Sequence, residues 1–187
     1  LRAQRFRELV AGRSFFGAEE MRQALEGLEE MLPYNCEHVV PQSWFGKREP
    51  MRGDLHHLFA CESGCNSFRG NTPYFDFPDF REIDLQEVDR NDCGRRMPLR
   101  FEPWSGKGAV ARATLYFLTR YPGEINRTST EYEKDRVAVL LAWHHTHPVT
   151  DWERHRNAAI HRAQGNRNPL IDHPEWARSI DFGDGLG

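Results

Sequence analysis

Residues 34–71 read YNCEHVVPQSWFGKREPMRGDLHHLFACESGCNSFRGN, and proline, glycine and asparagine cut this stretch into short pieces. Glu37-His38-Val39-Val40 is a β-prone run stopped by Pro41, whose ring removes a backbone donor. Asp54 to Ala60 is a second such run, in which Leu55, His57 and Phe59 alternate with His56 and Leu58 at the period of a strand. A short helix over Glu62 to Phe68 follows. Two strands and a helix in this order make a compact hairpin-plus-helix. That unit brings His38, at the end of the first strand, near Asn66 on the helix. On the second strand His56 and His57 would point to opposite faces, one orienting a neighbour in a site and the other packing.

Outward from this unit, the chain turns helical. Met21, Leu25, Leu28 and Leu32 stand at helical spacing over residues 17–32, before Pro33. Pro41, Pro50, Pro73, Pro78 and Pro98 mark residues 34–103 as short strands and loops. Val110, Ala113, Leu115, Phe117 and Leu118 give residues 106–120 a broad apolar face, predicting a buried helix that ends before Pro122. Thr128 and Glu131 have capping-box spacing ahead of Val137, Leu140, Leu141 and Trp143. Thr150 and Glu153 repeat it ahead of a helix from Asp151 to Gln164, with Gly165 placed as a left-handed cap. The tail after Pro169 reads as irregular. The expected class is α+β, a strand-strand-helix unit embedded among about five helices in one domain over residues 1–187.

Composition narrows the function. Twenty-five Lys and Arg against 28 Asp and Glu give a net charge of −3, which excludes a uniformly basic nucleic-acid coat and leaves room for a local basic patch. Mean hydropathy of −0.74, with no apolar run near the roughly 20 residues that span a bilayer, argues against a membrane protein. Leu1-Arg2-Ala3-Gln4-Arg5 leads into an amphipathic stretch rather than an apolar leader.

The blocks Glu37-His38-Val39-Val40-Pro41-Gln42-Ser43-Trp44, Asp54-Leu55-His56-His57-Leu58, Asn66 and Arg69-Gly70-Asn71 resemble the ββα-metal, or His-Me finger, nucleases of the endonuclease I family. Residues 106–119 and 147–172 are similar to that family's two later blocks, so the resemblance covers most of the chain. It implies sequence-nonspecific, Mg²⁺-dependent cleavage of DNA, and often RNA, by secreted or periplasmic enzymes. His38 matches the general base, and Glu37 and Asn66 match the side-chain ligands of a single cation, for which Mn²⁺ or Ca²⁺ are alternatives to Mg²⁺. Better-known members have a longer insertion after the first histidine that supplies an arginine beside the cleaved phosphate. Here that segment is short, and Arg52 stands in, followed by Arg48 and Arg69.

The residue types suit the chemistry irrespective of family. Phosphodiester hydrolysis needs a base titrating near neutrality to activate water, and histidine is the side chain with that property. Charge developing on the leaving 3′ oxygen calls for a hard cation held by oxygens, as Glu37 and Asn66 offer. An arginine forks two donors onto phosphate. A monomer that binds through phosphate contacts from Lys47, Arg48, Arg52, Arg69, Arg95 and Arg96 would position the backbone without reading bases.

Blander readings hold elsewhere. Asp54 reads as a turn or capping residue and Gln164 to Pro169 as a helix stop. His144, His145 and His147 suit a helix C-terminus rather than zinc, since His-Glu-x-x-His is missing. Trp104, Trp143 and Trp152 read as packing residues. Cys36, Cys61, Cys65 and Cys93 fit two disulfides, in any of three pairings, with a four-cysteine zinc site as the rival. Disulfides would place the protein in an oxidising compartment. Two other functions remain open: a zinc- or disulfide-stabilised nucleic-acid-binding module that does not cut, and a site-specific cutter acting with a partner.

Overall fold

Tyr34 to Arg69 forms the expected strand-strand-helix unit in a computed structural model, which describes residues 34–78, 88–125 and 134–186. Strand β1 (Tyr34–His38) pairs antiparallel with β2 (Leu58–Glu62), setting Glu37 opposite Phe59 and His38 opposite Leu58. Helix α1 (Ser63–Arg69) follows at once, because the Glu62 carboxylate accepts from the amides of Gly64 and Cys65, both at 2.8 Å, and so caps its first turn.

The second strand starts later than its alternation suggested. Asp54 accepts from the His56 amide at 2.9 Å and winds Leu55–His57 into a 3₁₀ turn, so the side-chain bond competes with strand geometry and wins. His56 and His57 are both buried, His57 beside His38 and Met51 and His56 beside Tyr116 and Asn166.

Strands β3 (Asp89–Asn91), β4 (Gly94–Met97) and β5 (Arg100–Pro103) form an antiparallel meander. The disulfide between Cys65 and Cys93 ties its first turn to α1. Gly94 is required where two strands meet, since a Cβ there would lie 2.2 Å from the Glu102 carbonyl oxygen.

Helix α2 (Lys107–Arg120) runs through the core with Ala111, Leu115, Phe117 and Leu118 inaccessible, against Val39, Val40 and Phe45 of the finger and Leu140 and Trp143 of α3 (Lys134–Thr146). Helix α4 (Asp151–Gln164) opens on the Thr150 and Glu153 capping box and closes on left-handed Gly165, as the sequence implied. A buried ion pair joins α2 to α4, with Arg112 Nε and Nη2 donating to Glu153 at 2.7 and 2.9 Å.

After α4 the chain is more regular than expected. Asn168 accepts from the Leu170 amide and starts a one-turn helix, α5 (Pro169–Asp172), whose Leu170 and Ile171 are buried; a 3₁₀ segment, Pro174–Arg178, continues it. Pro169 at the first helical position needs no amide partner there. Trp143 packs in the core, but Trp104 and Trp152 do not, at 50% and 57% exposure. The expected helix over 17–32 and the Thr128 and Glu131 cap lie outside the described residues.

Candidate active site

His38 sits where β1 ends and the chain bends toward the core valines. Its ring is fixed from two sides: Nε2 lies 3.0 Å from the Arg52 carbonyl oxygen and Nδ1 lies 3.3 Å from the Gln42 side-chain nitrogen. A carbonyl can only accept, so Nε2 carries the proton and Nδ1 keeps its lone pair, which the Gln42 amide meets. Gln42 escaped the sequence reading; its position four residues after His38, on the first 3₁₀ turn, was the available signal. Behind this ring stands His57, 5.5 Å away edge-on, with Nε2 donating to the Met51 carbonyl at 2.6 Å. Burial pushes the His57 imidazole down to about 4 against the pull of that carbonyl, so it is a neutral packing surface at pH 7.

Glu37 lies on β1, and Asn66, on α1, bonds Asn35 two positions before it. Asn35 and Glu37 share one face of β1. The Asn66 amide donates to Asn35 Oδ1 at 2.6 Å and reaches the Cys36 carbonyl at 3.4 Å, leaving its own Oδ1 without a partner among the described residues. Glu37 is nearly buried; Oε1 accepts from Arg69 Nη1, and Oε2 has no described partner. One oxygen from each residue is thus unclaimed.

The structure corrects the role expected of Arg69. It is 3% exposed, donates to Glu37 and to the carbonyls of His38 (3.1 Å) and Val39 (2.7 Å), and lies over the Tyr74 ring at 4.4 Å. A guanidinium so committed holds the end of β1 in place and offers no face to a phosphate. Arg95 is likewise paired with buried Glu102, and Arg96 donates to the Phe68 carbonyl. Of the basic residues expected to bind phosphate, the exposed ones are Lys47, Arg48 and Arg52, all in the loop after His38. Arg48 bridges to Glu124 at 2.6 Å, whereas among the described residues Arg52 pairs with Glu49 alone, three residues away. Exposed pairs of that kind are weak and open readily to a phosphate.

Asp54 is structural, as its sequence position suggested. Its buried carboxylate accepts from the His56 amide, Gln164 (2.8 Å), Tyr116 (2.7 Å) and Tyr121 (2.8 Å), joining the 3₁₀ turn to α2 and the end of α4. Burial works against the charge, but the donors led by Gln164 and the His56 amide outweigh it and hold the carboxyl below the ordinary aspartate value. A depressed folded-state pKa contributes stability above the unfolded value, lost as pH falls through the folded one. Asp54→Asn is therefore expected to flatten the acid limb of the stability curve below about pH 4. Native and variant curves that stay parallel there would refute this.

The cysteines follow neither sequence alternative. One disulfide forms, Cys65 to Cys93, and Cys36 and Cys61 remain thiols. Cys61 pairs with Asn35 across the hairpin, so it projects from the face opposite Cys36 and the two cannot join. A four-cysteine zinc site is ruled out by the same placement. The cluster of three metal-capable groups among the described residues, Glu62, Cys65 and Cys93, consists of a helix cap and the disulfide itself. His144 is buried with Nε2 donating to the Pro174 carbonyl at 2.8 Å, in keeping with a packing role.

Residues 14–175 match the sequence model of the Endonuclease I family. The chain is 34% identical over 168 residues to an extracellular ribonuclease of Bacillus subtilis (strain 168), covering 79% of this chain and 54% of that protein. It is 29% identical over 157 residues to an extracellular deoxyribonuclease of Aeromonas hydrophila, covering 73% and 64%. A periplasmic deoxyribonuclease of Aeromonas hydrophila is 28% identical over 162 residues, covering 73% and 62%. The chain thus spans about half the length of the Bacillus ribonuclease and under two thirds of the other two.

Proposed function

Because the chain belongs to the endonuclease I family, we propose that it is a metal-dependent, sequence-nonspecific endonuclease that hydrolyses phosphodiester bonds of DNA and RNA. The observation that carries this reading is the His38 ring, oriented by the Arg52 carbonyl so that one nitrogen keeps its lone pair at the end of the hairpin. Water that displaces the Gln42 amide from Nδ1 gives up its proton there as it attacks phosphorus. Arg52 releases Glu49 and forks onto the non-bridging oxygens, where charge accumulates.

Glu37 and Asn66 suit a hard divalent cation, since each has an oxygen without another claim among the described residues and Arg69, on the helix, holds the Glu37 carboxylate. Mg²⁺, or Mn²⁺ or Ca²⁺ in its place, would supply positive charge against the leaving 3′ oxygen. Asn66→Ala is expected to raise the Mg²⁺ concentration for half-maximal cleavage by about ten-fold or more. A superimposable Mg²⁺ titration would remove Asn66 from the ligand pair.

The protein would act as a monomer outside the cytoplasm, a placement supported by the disulfide and by relatives named extracellular or periplasmic. No described helix is long and apolar enough to cross a membrane. Supercoiled plasmid and RNA incubated with Mg²⁺ or with EDTA test the proposal: a metal-dependent smear is expected. Discrete fragments would point instead to a site-specific cutter, and intact nucleic acid under every cation to a binding module.

A further inference from the structure

The loop that holds His38 has a second side. Arg52 turns its carbonyl to His38, while Glu49, Pro50, Gly53 and Asp54 form one wall of an open cleft. Arg120 and Tyr121, at the end of α2, and Gln164 to Asn166, after α4, form the other.

The charges in this cleft are unequal in their freedom. Glu49 pairs with Arg52 at 2.7 Å and also accepts from the Gly53 amide at 3.1 Å, a bond that it keeps when Arg52 turns to the scissile phosphate. Asp54 is 3% exposed, and its two oxygens are taken by four inward donors. Arg120 is exposed and has no acidic partner among the described residues; its described contact is the Tyr121 ring at 5.3 Å, which leaves its N–H groups unused. Arg48, Arg52, Arg69, Arg95, Arg112 and Arg167 all pair with carboxylates.

The polar side chains around it are largely engaged. Gln164 donates to Asp54 and Asn166 and accepts from the Leu55 amide at 2.8 Å, and Asn166 donates to the Tyr116 hydroxyl at 2.6 Å. Gln164 has no spare donor, and Asn166 keeps a single N–H, one donor where bidentate reading of a base edge needs two groups. Among the described residues the cleft therefore offers one planar cation without a carboxylate partner, adjoining the loop that orients the general base.

From this we infer that the cleft is a phosphate subsite for the nucleic-acid strand next to the scissile bond, with Arg120 gripping a backbone phosphate and no base being read. The inference rests on the nuclease reading. A guanidinium recognises phosphate through paired N–H donors, and each neutralised phosphate releases counterions, which makes affinity salt-dependent in a countable way.

The test is fluorescence anisotropy of the whole chain with two labelled duplexes of unrelated sequence, in EDTA, across a salt series. Arg120→Ala is expected to weaken binding of both duplexes and reduce the slope of log affinity against log salt by about 0.9. Arg120→Lys, which keeps the charge, should restore most of the slope. Arg178→Ala, exposed and outside the cleft, should match the native chain. A native slope in Arg120→Ala would overturn the subsite while plasmid cleavage by the native chain left the nuclease reading standing. A loss confined to one duplex would overturn base-indifferent binding. Absence of both binding and cleavage in the native chain would defeat the nuclease reading, and the subsite with it.

Discussion

His38→Ala should lose about 10² to 10⁴ of plasmid-cleaving turnover, the range that a positioned general base contributes. The ring makes two polar contacts, to the Arg52 carbonyl and to Gln42, and neither crosses the apolar core. Its removal should cost only about 1 kcal/mol of stability, so folded variant is available to assay. Arg69 continues to hold the end of β1 through the backbone carbonyls of residues 38 and 39, which keeps the hairpin in register without the imidazole. A second variant separates base from scaffold: Gln42→Ala removes the amide from Nδ1 but leaves the base, and should retain far more activity. Turnover within ten-fold of native in a folded His38→Ala protein would end the assignment.

The largest effect on stability is expected from Glu153→Ala, at about 3 to 5 kcal/mol, because it strands a buried charge. Arg112 is 1% exposed, with two of its nitrogens on Glu153 and a third donating to the His147 carbonyl at 2.9 Å. Glu153 also accepts from the Thr150 amide at 3.0 Å, so the same substitution opens the cap of α4. Burial opposes its ionisation, yet Arg112 and the Thr150 amide hold its pKa below the ordinary glutamate value. The contribution is thus complete at neutral pH and fades as pH falls through the folded value. Urea unfolding at pH 7 reads it as a shifted midpoint at unchanged slope. Replacing both partners with apolar residues, Arg112→Met with Glu153→Leu, should recover much of the loss, since no charge is then left unpaired. A single-variant cost below about 1 kcal/mol would mean that the pair does not hold α2 to α4.

The features legible in the chain are those decided within a few residues. The order strand, strand, helix follows from where proline and β-branched residues fall. The Thr150 and Glu153 box and the Gly165 cap form as read, because a cap is completed by donors and acceptors three or four positions apart. The apolar face of α2 announced a buried helix, and the family resemblance drew Glu37 and His38, which end β1, and Asn66, which lies on α1 and bonds Asn35. The second strand shows the limit of periodicity: Leu55 to Phe59 alternates like a strand, yet one side-chain bond from Asp54 turns its first half into a 3₁₀ turn.

By itself, then, the sequence determined the class of fold, the hairpin-plus-helix at 34–71 and the family. Only tertiary structure sorted the arginines, because the fate of a guanidinium depends on which carboxylate the fold brings to it. Arg69 meets Glu37 across 32 positions and becomes a buried brace, whereas Arg120 meets none among the described residues and faces a cleft. Cysteine pairing belongs to the same category. Cys36 and Cys61 lie on adjacent strands, but an antiparallel register puts neighbouring positions on opposite faces, and no count of cysteines carries that information.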